Sequence, residues 1–471
     1  MEHGARGTRE LNWYESGLPS QERKQRGHFS TPHALVDQIL DACGYTTSAD
    51  LAHTRLLDPA CGSGNFLARA ALRLGQVLSA RHMLPGDLTP VVQRNLWGLD
   101  PDPVACFLAE MQVRAALEAG GAQLEQTSLH IHQADSLALA WQPCIDVLVA
   151  NPPYLATRNT DLSQYHQASG RGQVDSYLLF LELALRAVRP GGWIGLVVPD
   201  PVLARANAAP ERASLLRECT IQHLWHLAGV FAAEVGAVVI VARKTPPHRF
   251  HRVTWTRERW RAEQPPGSDA AASQRIGQLL LLKQPGMELR YLLGHGQGRE
   301  SEHLRRALHA AADHGPLLPL EDLVEIKRGE EIGRTSELLQ PLAELEDGLP
   351  VLRGGVDLRP YALADTHLGI ARTAVKKPLE RYLRPKLLVV KSTERLQAAL
   401  DTRGHAVLQT LYLLHPRACA DQPEICYFLL ALLNSRLLSA YVYHLYTAYK
   451  LVQPQIEQGV LARLPIAWGS A

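Results

Sequence analysis

Short β-rich apolar runs alternate with helical runs between residues 31 and about 243, and this alternation limits the possible folds more than any other feature. Strands are predicted at 56–58, 96–100, 129–133, 145–150, 193–198, 221–227 and 235–242. Helices are predicted at 65–78, 103–118 and 174–188. Strands that alternate with helices in this way are typical of a parallel, doubly wound α/β sheet.

The pattern changes after Thr245-Pro246-Pro247, which predicts more than one domain. Residues 1–28 are polar and irregular and are predicted to form an N-terminal arm, followed by the α/β domain at 29–250. Residues 251–316, rich in Gln, Gly, His and Arg, are predicted to be a linker with some helix. Residues 317–471 lack the alternation and are predicted to form a second, mixed α+β domain with one helix near 424–440.

Several classes of protein are not indicated. The most apolar stretch, 428–446, is interrupted by Asn434, Arg436 and His444, whereas a membrane span needs about 18 apolar residues. The first residues lack the apolar core of a secretory signal. The 7 cysteines are scattered without a single CxxC, which argues against a disulfide framework or a zinc ribbon and predicts a reducing, cytoplasmic location.

A glycine-containing loop follows the first strand and opens the next helix, in the order Asp58-Pro59-Ala60-Cys61-Gly62-Ser63-Gly64-Asn65. Glycines at 62 and 64 let the backbone approach a ligand closely and leave free N–H groups at a helix N-terminus. No Lys-Ser or Lys-Thr follows, so the loop is not a phosphate-binding P-loop. A nucleotide-like ligand is therefore predicted at this loop.

Acidic residues follow the next two strands. Asp100 ends the second strand and is suited to accept both ribose hydroxyls of an adenosine-containing cofactor, with Asp102 as the alternative. Asp135, followed by Ser136, ends the third strand, where a carboxylate can accept from an adenine amino group. Each acid alone is more often a helix N-cap, but Asp58, Asp100 and Asp135 at three successive strand ends together favour a ligand site. The sequence separations from Asp58 to Asp100 and from Asp100 to Asp135 both exceed the roughly 20 residues that are usual between such acids in a dinucleotide-binding fold.

The most informative segment is Asn151-Pro152-Pro153-Tyr154, directly after the fourth strand. It resembles the motif of the amino-group methyltransferases that use S-adenosylmethionine. The Asn151 side-chain oxygen and the Pro152 carbonyl can accept both hydrogens of an exocyclic amine, and two prolines stiffen the loop. Tyr154 can stack on the target base. A plain Asn-Pro turn is the structural alternative.

The order of the motifs resembles that of the gamma class of DNA adenine methyltransferases, in which target recognition follows catalysis. The segments that carry this resemblance begin at Gly27-His28-Phe29-Ser30-Thr31-Pro32, Asp175-Ser176-Tyr177 and Gly229-Val230-Phe231. The resemblance implies that Phe231 stacks on the extruded base, with a core phenylalanine as the alternative. It implies cofactor contacts from Thr31, Asp58, Ala60, Gly62, Gly64, Asp100, Asp135, Ser136, Asn151, Pro153 and Phe180.

The second domain is similar to the TaqI-type methyltransferases in segments at 318–323, 350–360, 384–391, 432–435 and 464–466. Residues 353–450 contain 14 Lys and Arg against 7 Asp and Glu, interleaved with tyrosines. A basic surface with stacking groups fits a polyanion, although a solvated face over core tyrosines is the alternative. This domain is predicted to recognise double-stranded DNA through Arg353, Arg359, Lys386, Lys391 and Arg395.

The resemblance therefore implies transfer of a methyl group from S-adenosylmethionine to N6 of adenine, within a restriction-modification or related defence system. A separately encoded restriction endonuclease is a candidate partner, and no metal is expected. The alternatives are methylation of cytosine N4, methylation of a protein glutamine, and a recognition subunit with an inert fold. Cys144 is interpreted as structural because it precedes a strand, and Glu325-Ile326-Lys327 as a chance match to a nuclease element.

Overall fold

The structure is a computed structural model of the 471-residue chain. It describes residues 30–83, 85–122, 128–155, 162, 165, 174–231, 236–269, 272–289, 303–304, 306–307, 310, 316–333, 335–417, 424–447 and 454–468. The predicted N-terminal arm, 1–28, lies outside these residues. The chain forms two compact units, Met1–Gly294 and His295–Ala471.

The first unit is built on one sheet of nine described strands. Their order is β3-β2-β1-β4-β5-β7-β6-β8-β9. The strands are Leu56–Asp58 (β1), Leu96–Asp100 (β2), His130–Gln133 (β3), Ile145–Ala150 (β4), Val188–Pro199 (β5), Thr220–Ala228 (β6), Ala237–Arg243 (β7), Arg252–Arg259 (β8) and Ser273–Gly277 (β9). From β3 to β5 all neighbours are parallel, whereas β7 runs antiparallel to both β5 and β6.

Helices connect these strands and cover the sheet. They are His33–Ala42 (α1), Asn65–Ala80 (α2), Pro85–Asn95 (α3), Pro103–Ala119 (α4), Ser176–Ala187 (α5), Ala209–Glu218 (α6) and Gln278–Leu282 (α7). Leu35, Ile39, Leu67 and Leu74 are fully buried in one hydrophobic cluster with strand residues such as Val149. Their spacing of four residues in α1 and seven in α2 places them on one face of each helix, which explains why α1 and α2 pack here.

The seven strands and three helices predicted for residues 31–243 are all present, with ends that differ by a few residues. Two expectations were wrong. The sheet is mixed, because β7 is antiparallel to its neighbours. The interval 251–316 is not a plain linker, because it contains β8 and β9, which extend the sheet. Val253 and Trp255 of β8 are fully buried, so hydrophobic burial stabilises this segment within the first unit.

The second unit contains several small sheets. Its strands are Leu317–Pro319 (β10), Val324–Arg328 (β11), Gln340–Pro341 (β12), Gly348–Leu352 (β13), Leu358–Arg359 (β14), Ala362–Leu363 (β15), Leu368–Ala371 (β16), Lys386–Val390 (β17), Ala398–Asp401 (β18), Ala406–Val407 (β19), Leu411–Pro416 (β20) and Pro465–Ala467 (β21). The four-stranded sheet β11-β20-β17-β18 separates two hydrophobic clusters. Alternate residues of β17 enter opposite clusters, so this strand is buried on both faces.

The helices of this unit whose bounds the structure describes are Leu320–Leu323 (α8), Glu380–Leu383 (α9), Glu424–Leu433 (α10), Arg436–Val442 (α11) and Gln458–Ala462 (α12). The single helix predicted near 424–440 is thus two helices, because Ser435 caps α11 by accepting from Leu438 N–H at 3.2 Å. In the described part of the chain, no single helix could cross a membrane. Among the described helices, α10 and α11 together have the length and hydropathy for a span, and they are bent by 56° relative to each other.

The cysteines agree only in part with the expectation of a chain without disulfides. Cys43, Cys61, Cys106, Cys144 and Cys219 are free thiols, whereas Cys426 is disulfide-bonded.

Candidate active site

A cavity of about 650 Å³ lies at the carboxyl ends of the parallel strands. The chain proceeds from β1 outward to β2 and β3 and then crosses back to β4 on the other side of β1. Such a switch in strand order leaves a crevice at the carboxyl ends, where ligands bind in open α/β sheets. The volume lies within the range of about 300–1,000 Å³ that is usual for small-molecule sites.

Most of the predicted cofactor residues meet in this cavity. Its lining includes Thr31, Asp58, Ala60, Gly62, Asp100, Asp135, Ser136, Asn151, Pro153 and Phe180. These residues come from six separate segments of the chain, so the sheet, rather than sequence proximity, brings them together.

The glycine loop is held by Asp100 of the neighbouring strand. Gly62 has a φ of 51°, a conformation that favours glycine, and its N–H donates to Asp100 Oδ2 at 3.0 Å. The other carboxylate oxygen accepts from Asp102 N–H at 2.9 Å. Asp100 is buried, lies at the last position of β2 and lines the cavity. Asp100 therefore both fixes the conformation of the glycine loop and faces the cavity.

Asp102, the alternative to Asp100, has a different function. Its carboxylate accepts from Val104 N–H at 2.9 Å and caps α4. It also lines the cavity. The position at the end of β2 favours Asp100 as the ligand-binding acid, while Asp102 starts the next helix.

Gly64 is the one predicted cofactor residue of the loop that packs instead against protein. Its φ is +97°, and a Cβ atom at this position would lie 2.7 Å from Ala109 Cα in α4. Glycine is needed here because α2 and α4 approach each other closely, and a direct ligand contact of Gly64 is still a prediction.

Asp58 is a buried carboxyl group at the end of β1. Burial raises its pKa to about 8, and the neighbouring Asp100 carboxylate adds to the rise. The Ala60 N–H, which donates to Asp58 Oδ1 at 3.1 Å, partly offsets it. A cationic ligand placed beside this carboxyl group would stabilise its ionised form and lower its pKa.

Asp135 and Ser136 follow β3 and line the cavity. The Asp135 carboxylate accepts from Leu137 N–H at 3.0 Å and from the Tyr165 hydroxyl at 2.6 Å. Ser136 is buried. Asp135 is thus an N-cap, the structural alternative for such an acid, and also part of the cavity wall.

The segment before α1 is tied to the glycine loop by a residue that sequence reasoning missed. Asn65, the first residue of α2, donates through Nδ2 to Ser30 Oγ at 2.8 Å and to the Thr31 carbonyl at 2.9 Å. Gln112 of α4 similarly donates to the Ser63 carbonyl at 2.9 Å. No local pattern indicates such contacts, because each partner lies more than 30 residues away.

The 151–155 loop follows β4 and contributes Asn151, Pro153 and Leu155 to the cavity. Its second half bonds to Ser176, the first residue of α5. The Ser176 hydroxyl donates to the Pro153 carbonyl and accepts from Leu155 N–H at 2.9 Å. The Ser176 N–H donates to the Leu155 carbonyl at 2.8 Å.

Tyr154 belongs to this loop, and its side chain is partly buried. Its hydroxyl donates to the Val197 carbonyl of β5 at 3.4 Å. Burial, with a contribution from the Asp200 carboxylate, raises the pKa of the Tyr154 hydroxyl, which stays protonated. The ring is therefore a neutral surface beside Asn151.

Phe231 does not lie in the cavity wall as the structure describes it. Its side chain is buried in the hydrophobic cluster of the first unit with Val230, Trp225 and Leu227. This arrangement matches the core phenylalanine that was the alternative interpretation, and the stacking role of Phe231 is still a prediction. Burial of its ring stabilises the fold.

In the second unit, Lys386 was wrongly predicted to contact DNA. It is the first residue of β17 and is fully buried. Its Nζ lies 2.6 Å from Asp401 Oδ2, and the Asp401 side chain is also fully buried. A buried, paired ammonium group cannot reach a phosphate.

The side chains of the other four residues that are predicted to contact DNA differ in their exposure and in their ion pairing. Arg359 and Arg395 are exposed, and Lys391 is half-buried. Arg353 is bound in a bidentate pair to Asp357, with N–O distances of 2.8 and 3.0 Å. These four positions are still predictions.

Cys144 and the Glu325-Ile326-Lys327 segment do not line the cavity. Cys144 is exposed directly before β4, at the opposite end of the strand from Asn151. Glu325 and Lys327 form an ion pair of 2.5 Å on the surface of β11. Within the described ranges, no three His, Cys, Asp or Glu side chains are placed to hold a metal ion.

This sheet order, with a glycine loop after β1 and a cavity at the switch point, defines a Rossmann-like methyltransferase domain, here followed by a mixed α+β unit. Residues 13–259 match the N-6 DNA Methylase family. Residues 349–466 match the TaqI-like C-terminal specificity domain. The chain therefore belongs to the N-6 DNA Methylase family, as the motifs predicted.

Relatives of known activity are similar to part of the chain. Type II methyltransferase M.XhoI of Xanthomonas vasicola is 28% identical over 243 residues, which are 47% of this chain and 43% of that protein. Type II methyltransferase M.BstVI of Geobacillus stearothermophilus is 27% identical over 190 residues, or 38% and 34% of the two chains. The match thus spans less than half the length of these relatives.

Solved structures share the fold over most of the chain. The Type IIL restriction-modification enzyme MmeI, solved in complex with DNA, has a TM-score of 0.55 at 13% identity and covers 96% of this chain and 68% of its own. The DrdV–DNA complex has a TM-score of 0.50 at 13% identity, with coverages of 88% and 52%. At this identity the similarity concerns the fold alone.

Proposed function

We propose that the chain binds S-adenosylmethionine in the 650 Å³ cavity and transfers its methyl group to N6 of adenine in double-stranded DNA. The observation that carries this proposal is the Asn151-Pro152-Pro153-Tyr154 loop, which borders a cavity lined by Asp58, Asp100 and Asp135. Membership of the N-6 DNA Methylase family supports adenine as the target, in preference to cytosine.

The residues of the cavity fit this cofactor. Asp58 suits the positively charged amino end of the ligand, because a nearby cation favours its carboxylate. The buried Thr31 Oγ1 has no hydrogen-bond partner among the residues that the structure describes, and Thr31 also lines the cavity. We assign Asp100 to the ribose hydroxyls and Asp135 with Ser136 to the adenine ring. The bound cofactor supplies an electrophilic methyl group on a sulfonium centre.

The 151–155 loop provides the acceptors for the target amine. An exocyclic amine is a weak nucleophile because its lone pair is conjugated with the ring. When the Asn151 oxygen and the Pro152 carbonyl accept its two hydrogens, the nitrogen becomes more pyramidal and its lone pair is freed. The acceptors are fixed before the reaction by the prolines, so little reorganisation is needed. The amino proton can leave after transfer.

A base within a duplex must first leave the stack, which costs a few kcal/mol. Tyr154 is the proposed stacking surface for the extruded base, because an aromatic face can recover about 1–3 kcal/mol. The neutral hydroxyl of Tyr154 is compatible with this role.

We further propose that the second unit reads the DNA sequence. The TaqI-like specificity match and the excess of seven positive charges over 353–450 support this assignment. Arg359 and Arg395 are exposed and are the strongest candidates, since arginine contacts guanine in a bidentate manner. A restriction endonuclease that cuts the same sequence is the expected functional partner.

The proposal is tested by incubating the chain with S-adenosylmethionine carrying a labelled methyl group and unmethylated phage DNA. The DNA is then digested to nucleosides, and the labelled nucleoside is identified. We expect label in N6-methyldeoxyadenosine. Label in N4-methyldeoxycytidine, or in protein alone, would contradict the proposal.

Cofactor binding is expected to depend on pH through Asp58. In the free protein its carboxyl is protonated below a pKa of about 8, so binding an ammonium group at lower pH must release a proton. Affinity should therefore fall from pH 8 to pH 6, by roughly 10- to 50-fold. Near pH 8 the amino group of the ligand is already about half deprotonated, since α-amino groups titrate at about 7.7–8.0, and this limits the gain in affinity at the upper end of the range.

Calorimetric titration of the wild type and of Asp58→Asn at pH 6, 7 and 8 measures this dependence. The variant has no titrating group at this position, so its affinity should be nearly constant over the range. A flat profile in the wild type would show that Asp58 does not face the amino group.

A further inference from the structure

We propose that Ser176 is a positioning residue that holds the 151–155 loop in the geometry required for methyl transfer. This inference rests on the proposed function and adds to it a residue outside the Asn-Pro-Pro-Tyr motif. Ser176 does not touch the reacting amine in this assignment. It acts through the backbone of the loop.

Ser176 forms hydrogen bonds with the residues directly before and directly after Tyr154 in the chain. The hydroxyl donates to the carbonyl of Pro153, the residue before the tyrosine, and accepts from the N–H of Leu155, the residue after it, at 2.9 Å. The backbone N–H of Ser176 donates to the Leu155 carbonyl at 2.8 Å. Three hydrogen bonds from one buried residue thus fix the second half of the loop.

The loop depends on such outside support because two of its residues are prolines. Pro152 and Pro153 have no N–H group and cannot donate to the rest of the protein. Their rings restrict φ, but they leave the orientation of the following peptide units to other contacts. The Ser176 hydroxyl provides an acceptor and a donor at that point.

Ser176 also links the loop to the cofactor cavity. It is the first residue of α5, and Phe180 lies one turn later on the same face of this helix. Both side chains line the cavity, as do Asn151 and Pro153. The helix is largely buried. The loop that carries the amine acceptors and the cavity wall at Phe180 are therefore both held by this one helix.

Loss of the Ser176 hydroxyl should therefore misplace Asn151 and Pro152 relative to the cavity without removing a ligand contact. A displacement of about 1 Å in reacting groups can lower a rate by up to about 100-fold. We expect Ser176→Ala to lower the rate of methyl transfer about 10- to 100-fold. The affinity for S-adenosylmethionine should stay within about threefold, because the change acts on the reacting geometry.

The experiment measures single-turnover transfer of labelled methyl to saturating unmethylated phage DNA, together with calorimetric cofactor affinity. Ser273→Ala is the matched control, because it also removes a hydroxyl hydrogen bond, the 2.9 Å contact with Thr256, in the same unit. This control should transfer methyl groups at the wild-type rate. Ser176→Cys, which keeps the size but weakens the hydrogen bonds, should fall between Ser176→Ala and the wild type.

A Ser176→Ala protein with the wild-type transfer rate would overturn the inference. So would a loss of cofactor affinity as large as the loss of rate, since that result would indicate general damage to the cavity. If Ser176→Ala does not fold, Ser176→Cys decides, and a wild-type rate in that variant overturns the inference. A wild-type protein that methylates no DNA would instead refute the proposed function, which keeps the two failures distinct.

Discussion

Replacement of Asn151 by alanine is expected to lower the rate of methyl transfer by about 100- to 1,000-fold, the usual cost of removing one preorganised polar group from a transition state. Asn151 directly follows β4 and lines the cavity. Its side-chain oxygen is the proposed acceptor for one hydrogen of the target amine. Without this acceptor the lone pair of the amine stays conjugated with the ring, and attack on the methyl group is slow.

The same variant should bind S-adenosylmethionine within a few-fold of the wild type, because the proposed cofactor contacts of Thr31, Asp58, Asp100 and Asp135 are unchanged. Rapid-quench measurement of labelled methyl transfer and calorimetric titration test the two parts separately. Asn95→Ala is a suitable control. Asn95 is buried and donates to the Ala52 carbonyl at 2.6 Å, outside the cavity lining.

The control should lose stability but keep its rate of transfer under conditions in which it is folded. If Asn151→Ala retains more than about a tenth of the wild-type rate, well above the expected loss, Asn151 is not the amine acceptor. If both asparagine variants lose activity equally, the effect reflects folding and not the chemistry of the loop.

The cavity was predictable from sequence because its main residues occupy strand ends. Asp58, Asp100 and Asn151 each stand at the last position of a strand or directly after it. In a parallel sheet those ends meet at one edge, so correct strand boundaries are sufficient to bring the side chains together. The same logic does not distinguish a ligand contact from a packing contact, and at Gly64 the close approach of α4 is a packing reason for the glycine.

Residues that act through tertiary contacts were not predictable in this way. Asn65 and Ser176 each bond to a segment more than 20 residues away, and both are the first residue of a helix. A polar residue at that position is explained well enough by helix preferences alone. Their second function appears only when the partner segment is placed beside them.

The strands β8 and β9 were missed although their sequence carries a signal. Arg252–Arg259 alternates apolar and polar residues, with Val253 and Trp255 on one face, as expected of a half-buried strand. The preceding prolines and the polar composition favoured a linker. Burial of Trp255 against the sheet outweighed those local preferences.

Lys386 shows the limit of charge counting. It lies in the basic stretch 353–450, yet it pairs in register with Asp401 of the neighbouring strand β18. Nothing in the composition separates this lysine from an exposed one. The pairing register of β17 and β18 decides its environment, and that register is set by the two hydrophobic clusters on either side of the sheet.

The second large effect is expected at Asp401. Its carboxylate accepts from Lys386 Nζ at 2.6 Å, from His405 Nδ1 at 2.8 Å, and from two backbone N–H groups at 2.9 and 3.0 Å. Burial opposes its ionisation, but the hydrogen bond from His405 and the charge of Lys386 outweigh burial, so the pKa of Asp401 is well below its usual range. Because folding lowers this pKa, the stabilisation is fully present above about pH 4–5 and declines as the pH falls further.

Replacement of Asp401 by alanine should destabilise the second unit by about 3–5 kcal/mol, because it leaves the Lys386 ammonium buried without its partner. This loss is a large part of the roughly 5–15 kcal/mol by which proteins are stable. Hydrogen exchange of peptides from β17 and β18 at increasing urea concentration reports the second unit by itself. The exposed pair Arg403–Asp365 offers a control in the same unit, and Arg403→Ala should cost far less stability than Asp401→Ala, because exposed ion pairs contribute little.

The double variant Lys386→Met with Asp401→Leu separates the two interpretations of Lys386. Removing both charges avoids an unpaired buried ion, so it should be markedly more stable than Asp401→Ala, since such replacements of buried pairs are often neutral or better. Because Lys386 is fully buried, the folded double variant should also bind DNA as tightly as the wild type and with the same salt dependence. Fluorescence anisotropy with a phage DNA fragment at two salt concentrations measures both. A weaker affinity and a reduced salt dependence in a folded double variant would mean that Lys386 leaves its pocket to contact phosphate, and that the buried pair opens when DNA binds.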